Sequence, residues 1–435
     1  MPEVKLIKRF IEIENGHSLK AFEAAGGYGS LRKIIDEGWD AEKVIGILKA
    51  SNHRGLGGAG FPTGMKWGFV PKDIDGPKYL VVNADESEPG TFKDRHVISG
   101  APHLLIEGAV IAALCIEAED IYIYIRGEYF EQARIMEQAI EEAAEAGLIG
   151  TNILGSGRTA RVHLHRGAGA YICGEETALL SSLEGGKGWP KLKPPFPAVK
   201  GLFGKPTIVN NVETLSYVPI ILDKGAEYFA SLGIERNGGT RLFGVSGHVK
   251  QTGVFELPLG TPMKELIFEH CGGIRRDRKL KAVIPGGSSC PVLTPEEALS
   301  VNMDFDSLAG IGSMLGSGGL IVMDETTDMV QTLWRICRFY SFESCGQCTP
   351  CREGTGWMTR IMERIATGSG TVQDIDDLKD VAEMIMGNTI CPLGDAAALP
   401  VVSFLSKFRA DFEAQVKPRR VHAGAVVTEA EAEES

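Results

Sequence analysis

An α/β fold is the expectation for this chain, and three observations predict it. From Tyr79 onward short apolar runs alternate with helical stretches, the pattern of a mostly parallel sheet flanked by helices. After about residue 235 strand-like runs crowd around one helix, which marks a smaller α+β unit. From about residue 327 the pattern is helical and broken only by a cysteine-rich loop. At 435 residues the chain exceeds one simple core, so roughly two to four domains are expected.

Residues 17–53 read as helical, with Leu31, Ile34, Ile35, Val44, Ile45 and Leu48 at three-to-four spacing. The run from His53 to Gly64 is too rich in glycine for helix or strand. Tyr79–Val82 and Ile121–Ile125 follow as strands, separated by an apolar helix over Leu104–Ile116. An acidic amphipathic helix, Glu131–Ala146, leads to a third strand at Arg161–His165. Between residues 184 and 206 glycine and proline are too dense for regular structure, which predicts a long ordered loop. In the smaller unit Arg241–Val245, Gly253–Leu257 and Leu280–Ile284 are strand-like, and Met263–His270 is helical. Residues 327–366 and 374–413 are helical again, and the tail from Val416 has little to bury and is expected to be disordered.

Composition narrows the function classes. A net charge of −12 argues against nucleic acid, whose phosphates demand clustered Lys and Arg. The apolar fraction of 43% is that of an ordinary globular protein, and no apolar run is long enough to span a bilayer. The N-terminus has neither the apolar run of a secretory signal nor the acid-poor character of a transit peptide, so a cytosolic start is expected. Nine cysteines without such a signal suit metal binding better than a disulfide framework.

The cysteines carry the sharpest signal. Cys345, Cys348 and Cys351 form a C-x2-C-x2-C run, and Cys391 precedes Pro392 further on. Three close thiolates and one distant suit a [4Fe–4S] cubane, whereas zinc sites usually pair two C-x2-C knuckles. Three unligated thiols so close together would invite oxidation. The isolated Cys115, Cys173, Cys271, Cys290 and Cys337 read as small buried hydrophobes.

Gly55, Gly57 and Gly60 match G-x-G-x-x-G, but a dinucleotide fingerprint must follow a strand and open a helix. What the loop does offer is bare backbone N–H groups for a phosphate or a flat ring, with Lys66 just beyond. Asn83, Asp85, Glu86 and Glu88 follow the Tyr79–Val82 strand, at the end where open α/β sheets bind ligands. Gly167 to Thr177 repeats the design with Tyr171, Gly174, Glu175 and Glu176, and Asn210, Asn211 and Thr214 add an amide pair before another helix. Each has a bland reading as a turn or a helix cap; together they point to a cofactor site.

Six motifs, Gly57–Gly64 (GGAGFPTG), Asn83–Gly90 (NADESEPG), Gly167–Thr177 (GAGAYICGEET), Leu192–Pro197 (LKPPFP), Gly204–Thr207 (GKPT) and Glu343–Arg352 (ESCGQCTPCR), closely resemble the flavin-carrying NADH-oxidising subunit of respiratory complex I. They occur in the family's order between about residues 20 and 410. The resemblance implies an N-terminal helical segment with the glycine loop (1–65), a Rossmann-like FMN and NADH domain (66–235), a ubiquitin-like α+β domain (236–325) and a helical bundle carrying the cluster (326–415), before an acidic tail (416–435). It implies FMN held by Gly55, Gly57, Lys66, Asn83, Asp85, Glu86, Tyr171, Gly174, Glu175, Asn210, Asn211 and Thr214. NADH would stack among Phe61, Phe69 and Phe196 and meet Lys193, Glu88 and Glu176 with its polar groups. Leu56 departs from the family, which often has Arg there.

The implied chemistry is hydride transfer from NADH to FMN, then single-electron transfer to the cluster and on to quinone through partner subunits. No residue need act as a nucleophile; Glu86 and Glu88 would support the reaction, with Glu176, by repelling the phosphates of the product. The implied partners are a small two-iron subunit and a large multi-cluster subunit, on the cytoplasmic face of the inner membrane. NADH is expected over NADPH, since carboxylates disfavour a 2′-phosphate. Flavin subunits of NAD-linked hydrogenases and formate dehydrogenases share these motifs but often carry fused iron–sulfur modules; with one C-x2-C-x2-C run in this sequence, the complex I reading is expected over them. A scaffold without redox chemistry and a plain zinc protein are the remaining alternatives.

Overall fold

The computed structural model describes residues 3–74 and 76–416; the expected disorder of the tail beyond Val416 lies outside the described residues. Four parallel strands, β1 (Tyr79–Ala84), β2 (Asp120–Ile125), β3 (Arg161–Arg166) and β4 (Thr207–Asn211), form the first sheet in the order β3-β2-β1-β4. The chain therefore builds outward from β1 in both directions, and the loops after β1 and its edge neighbour β4 part from each other there. One face of the sheet is covered by Pro102–Ile116, buried along nearly its whole length, and by Val212–Lys224. Gly108 makes their crossing possible, since a Cβ there would stand 2.0 Å from the Leu215 carbonyl oxygen.

The second sheet holds β5 (Thr240–Gly247), β6 (Gly253–Pro258), β7 (Leu280–Ile284) and β8 (Gly319–Asp324) in the order β6-β5-β8-β7. β5 and β8 pair parallel, and β6 and β7 flank them antiparallel. The N-terminal segment is tied to this sheet. Buried Glu256 on β6 accepts the N–H groups of Leu6 (2.9 Å), Ile7 (3.0 Å) and Lys8 (2.8 Å). The C-terminal helices Met329–Glu343, Thr349–Ala366, Val372–Ile385 and Leu393–Lys407 pack on one another around a core that includes Met358, Leu378, Ala398 and Phe404.

Three expectations need correction. Residues 17–53 form three helices, Leu19–Ala24, Gly29–Asp36 and Ala41–Ala50, because Gly26 and Gly38 take left-handed backbone that ends a turn. The strand β8 is absent from the sequence reading, although Leu320, Ile321 and Val322 form an apolar run, because it is short and opens on Gly319, a weak strand former. β4 also went unread; its short run ends in the two asparagines, which are weak strand formers. Among the described residues no single helix is long and apolar enough to cross a membrane.

Candidate functional site

Where the loops after β1 and β4 diverge, the sheet opens a crevice at the carboxyl ends of its strands, the place open α/β sheets offer a ligand. A cavity of about 490 Å³ lies there, walled by Gly57, Asn83, Asp85, Glu88, Tyr171 and Asn211 among others. Gly57 brings its backbone against the Asn211 side chain, and a Cβ at 57 would stand 3.0 Å from the Asn211 Cβ. The bare glycine wall, the polar lining and the size fit a flat, phosphorylated cofactor such as FMN.

The predicted site residues fall into two sets. Gly57, Asn83, Asp85, Glu86, Glu88, Tyr171, Gly174, Glu175 and Asn211 line the cavity. Asn83 reaches across with its amide to the Gly174 carbonyl (2.9 Å), joining the β1 loop to the loop after β3. Burial pushes the Asp85 carboxyl up to about 7. The second set stands behind the wall. Thr214 accepts the Leu56 N–H (2.8 Å) and pins the glycine loop, where Gly55 donates to the Phe61 carbonyl (2.8 Å). Asn210 accepts from the Trp67 indole (2.9 Å), and Lys66 donates to the Val209 carbonyl (2.7 Å).

Glu86, which lines the cavity, also ties its wall together. Its buried carboxylate accepts the N–H groups of Lys93 (2.6 Å) and Asp94 (2.7 Å) at the start of the Asp94–Gly100 helix, and the Tyr129 hydroxyl (2.6 Å). A carboxylate so committed holds the cavity wall together and has little freedom to face a nucleotide.

Of the residues expected to meet NADH, Glu88 lines the cavity, while Phe61, Phe69, Phe196, Lys193 and Glu176 do not. Phe61, Phe69 and Phe196 are exposed, and the first two stand 5.8 Å apart between ring centroids. Glu176 pairs with Lys193 (2.6 Å) and lies 3.5 Å from Lys66. Burial alone would raise the Glu176 carboxyl, but Lys66 and Lys193 outweigh it and hold it below the usual range.

Several lining residues escaped the sequence. Lys93, almost wholly buried, sits between Asp94 Oδ1 and Glu213 Oε2, both at 2.7 Å. Asp94 Oδ2 accepts from the Asn211 amide (2.6 Å). Beside them buried Arg241 donates to the Leu56 carbonyl (3.3 Å), clamping the glycine loop from the second sheet. Ser289, Gly316 and Ser317 reach the cavity from that same sheet's loops. The glycine-rich runs Gly286–Ser289 and Gly316–Gly319 were the signal that could have found them.

Cys345, Cys348, Cys351 and Cys391 all line one small cavity, with Pro190, Ile172 and Leu393. Among the described residues no group of three or more His, Cys, Asp or Glu is gathered tightly enough for a single metal ion. Four thiols lining one hollow supply the ligand set of a [4Fe–4S] cluster. Burial pushes the bare Cys391 thiol up to about 12. Ile172 and Leu393 line both this hollow and the larger cavity, so two side chains wall one site from the other. The Trp189 indole donates to the Cys345 carbonyl (3.3 Å), so the 184–206 loop that carries Lys193 and Phe196 also touches the cysteine loop.

Comparison with known proteins agrees with this geometry. A family model described as the Nuo51 FMN-binding domain matches residues 48–220. An SLBB domain model matches 241–322, and the NADH-ubiquinone oxidoreductase-F iron-sulfur binding region matches 331–415. An NADH-quinone oxidoreductase F-subunit of Rhizobium meliloti (strain 1021) is 52% identical over 95% of this chain and 98% of its own length. The chain belongs to the NADH-quinone oxidoreductase F-subunit family. A second member, from Rickettsia felis (strain ATCC VR-1525 / URRWXCal2), is 52% identical over 93% of this chain and 95% of its own. A crystal structure of an air-oxidised NAD+-reducing [NiFe]-hydrogenase superposes with a TM-score of 0.83 at 33% identity, covering 96% of this chain and 68% of that one. Membership of the F-subunit family extends over the α/β, second-sheet and helical-bundle architecture, and the matched FMN and iron–sulfur regions contribute residues to the two cavities.

Proposed function

We propose that this chain is the electron-entry subunit of an NADH-quinone oxidoreductase, binding FMN in the larger cavity and a [4Fe–4S] cluster on Cys345, Cys348, Cys351 and Cys391. The observation that carries this reading is the shared wall: the nucleotide-sized cavity and the cysteine hollow have Ile172 and Leu393 in common. FMN, when bound, accepts hydride from NADH and gives its electrons up one at a time. The protein's part is to bind and orient. Gly57, Asn83, Asp85, Tyr171, Gly174, Glu175 and Asn211 would hold the cofactor; Gly55, Lys66, Asn210 and Thr214 would hold those residues in place. Phe61, Phe69 and Phe196 would stack on NADH, and Lys193, Glu176 and Glu88 would meet its polar groups. Glu88 and Glu176 would repel the phosphates of the product; Glu86 is left out of that role because its side chain is buried, whereas Glu88 is partly exposed.

The division into segments 1–65, 66–235, 236–325 and 326–415 follows the same reading. A small two-iron subunit and a large multi-cluster subunit would take the electrons onward to quinone, with this chain peripheral on the cytoplasmic face of the membrane. The likeness to an NAD+-reducing hydrogenase favours the diaphorase alternative no better, since the NADH-quinone oxidoreductase relatives are more similar along nearly their whole length.

The test is a visible spectrum of anaerobically purified full-length protein before and after NADH, with flavin and iron counted. Flavin bands that bleach, beside about four irons per chain, are expected. Zinc without flavin would overturn the reading.

A further inference from the structure

Glu88 is tied down from separate parts of the chain. The Tyr171 hydroxyl donates to its Oε2 (2.7 Å), the Ser289 N–H donates to its Oε1 (2.7 Å), and the Ser288 hydroxyl donates to Oε1 (3.3 Å). Ser288 stands in turn 3.0 Å from the Tyr340 hydroxyl. A seryl hydroxyl has one proton, and with that proton on the carboxylate its oxygen is left to accept from Tyr340. The bonds therefore run from Tyr340 through Ser288 to Glu88.

Tyr340 is fully buried on the Met329–Glu343 helix, which leads directly into the Cys345 loop. Its ring lies edge-on to Tyr171 at 5.9 Å, and Phe339 completes the contact at 5.1 Å from Tyr171 and 5.2 Å from Tyr340. Glu343, at the end of the same helix, accepts the Tyr171 N–H (3.0 Å). Phenylalanine at 340 would fill this space but leave the Ser288 hydroxyl without its Tyr340 partner.

We infer that Tyr340, acting through Ser288, is a positioning residue for Glu88: it aims the carboxylate into the nucleotide cavity, so that the helix leading to the cluster sets how tightly the product NAD+ is held. The inference rests on the reading of Glu88 as a nucleotide contact. Without the Tyr340 or Ser288 hydroxyl the carboxylate keeps its bonds to Tyr171 and Ser289 but loses its third tie; its aim into the cavity loosens, and its repulsion of the product's phosphates falls.

The experiment measures the dissociation constant of NAD+ by spectral titration of the full-length protein carrying its flavin and cluster. Wild type, Tyr340→Phe, Ser288→Ala, Glu88→Gln and the Tyr340→Phe/Glu88→Gln double variant are compared at matched flavin and iron content. Tyr340→Phe and Ser288→Ala should each bind NAD+ roughly three- to tenfold more tightly. In the Glu88→Gln background Tyr340→Phe should add nothing, the mark of an effect exerted through one group. A shift of the same size in both backgrounds, or one within about twofold in wild type, overturns the inference. If Glu88→Gln changes affinity and Tyr340→Phe does not, the inference alone fails; if Glu88→Gln changes nothing, the reading of Glu88 fails with it. Should Tyr340→Phe not fold, Ser288→Ala with its own Glu88→Gln double variant decides the matter by the same criteria.

Discussion

Leu56 stands where its family often carries Arg, and the structure shows what holds its place. Its side chain is buried, its N–H is bonded to Thr214, and its carbonyl accepts from the guanidinium of Arg241. Arg241 thus brings a cation from β5 against the glycine loop, which already carries Arg54, bonded to the Gly60 carbonyl. A further cation at position 56 would be buried beside Arg241 without a partner. Leu56→Arg should therefore destabilise the protein by about 3 kcal/mol or more, read as a lowered denaturant midpoint, with no gain in FMN affinity. Improved flavin retention at undiminished stability would contradict this. The same scale shows where a sequence can mislead. Glu86 and Glu88 are two residues apart in one acidic loop and both line the cavity, yet Glu86 is bonded to the start of the Asp94–Gly100 helix and Glu88 to Tyr171, Ser288 and Ser289. Nothing in their spacing separates the two, because the helix start that claims Glu86 is recognisable only once Lys93 and Asp94 have folded against it.

At the scale of elements, the cysteine loop joins two helices, Met329–Glu343 and Thr349–Ala366, and Cys351 lies within the second, buried and 3.2 Å from the Ser344 hydroxyl. Since the flavin cavity is built chiefly from the first sheet, losing one cluster ligand should leave it intact. Cys351→Ala is expected to lose most of its iron while keeping FMN and its bleaching by NADH, measured by iron analysis and visible spectroscopy on one sample. Loss of both cofactors together would mean that the two cavities fold as one unit. The cysteine loop was legible because its ligands are close in sequence, as were the strongly periodic elements Ile121–Ile125 and Leu104–Ile116. The lining residues of the second sheet were not, since Ser289 and Ser317 reach the cavity only through long-range pairing of β5 with β8.

Over the whole molecule, His53 joins the glycine loop to the body of the fold. It is buried, its Nε2 bonds to the Thr214 carbonyl (3.0 Å), and its ring meets Tyr217 and Phe229 edge-on. Burial lowers its pKa from 6.5 to about 4. The folded protein keeps this imidazole neutral where the unfolded chain has protonated it, so its contribution is complete above about 6.5 and is lost as pH falls toward about 4. The loss amounts to about 3 kcal/mol at most. Thermal melts across that range should show a steeper decline for wild type than for His53→Gln; parallel declines would rule His53 out as the source.

The two side chains that the cavities share have a consequence of their own. Ile172 and Leu393 are nearly inaccessible to water and carry no group able to pass a proton. A partition of that kind is permeable to an electron, which tunnels through a thin hydrocarbon layer, and closed to an ion or a proton, which would have to be carried. With FMN in the larger cavity and a cluster on the four cysteines, charge would cross as bare electrons, and a proton released on the flavin side would have to leave another way, toward the open mouth of the cavity.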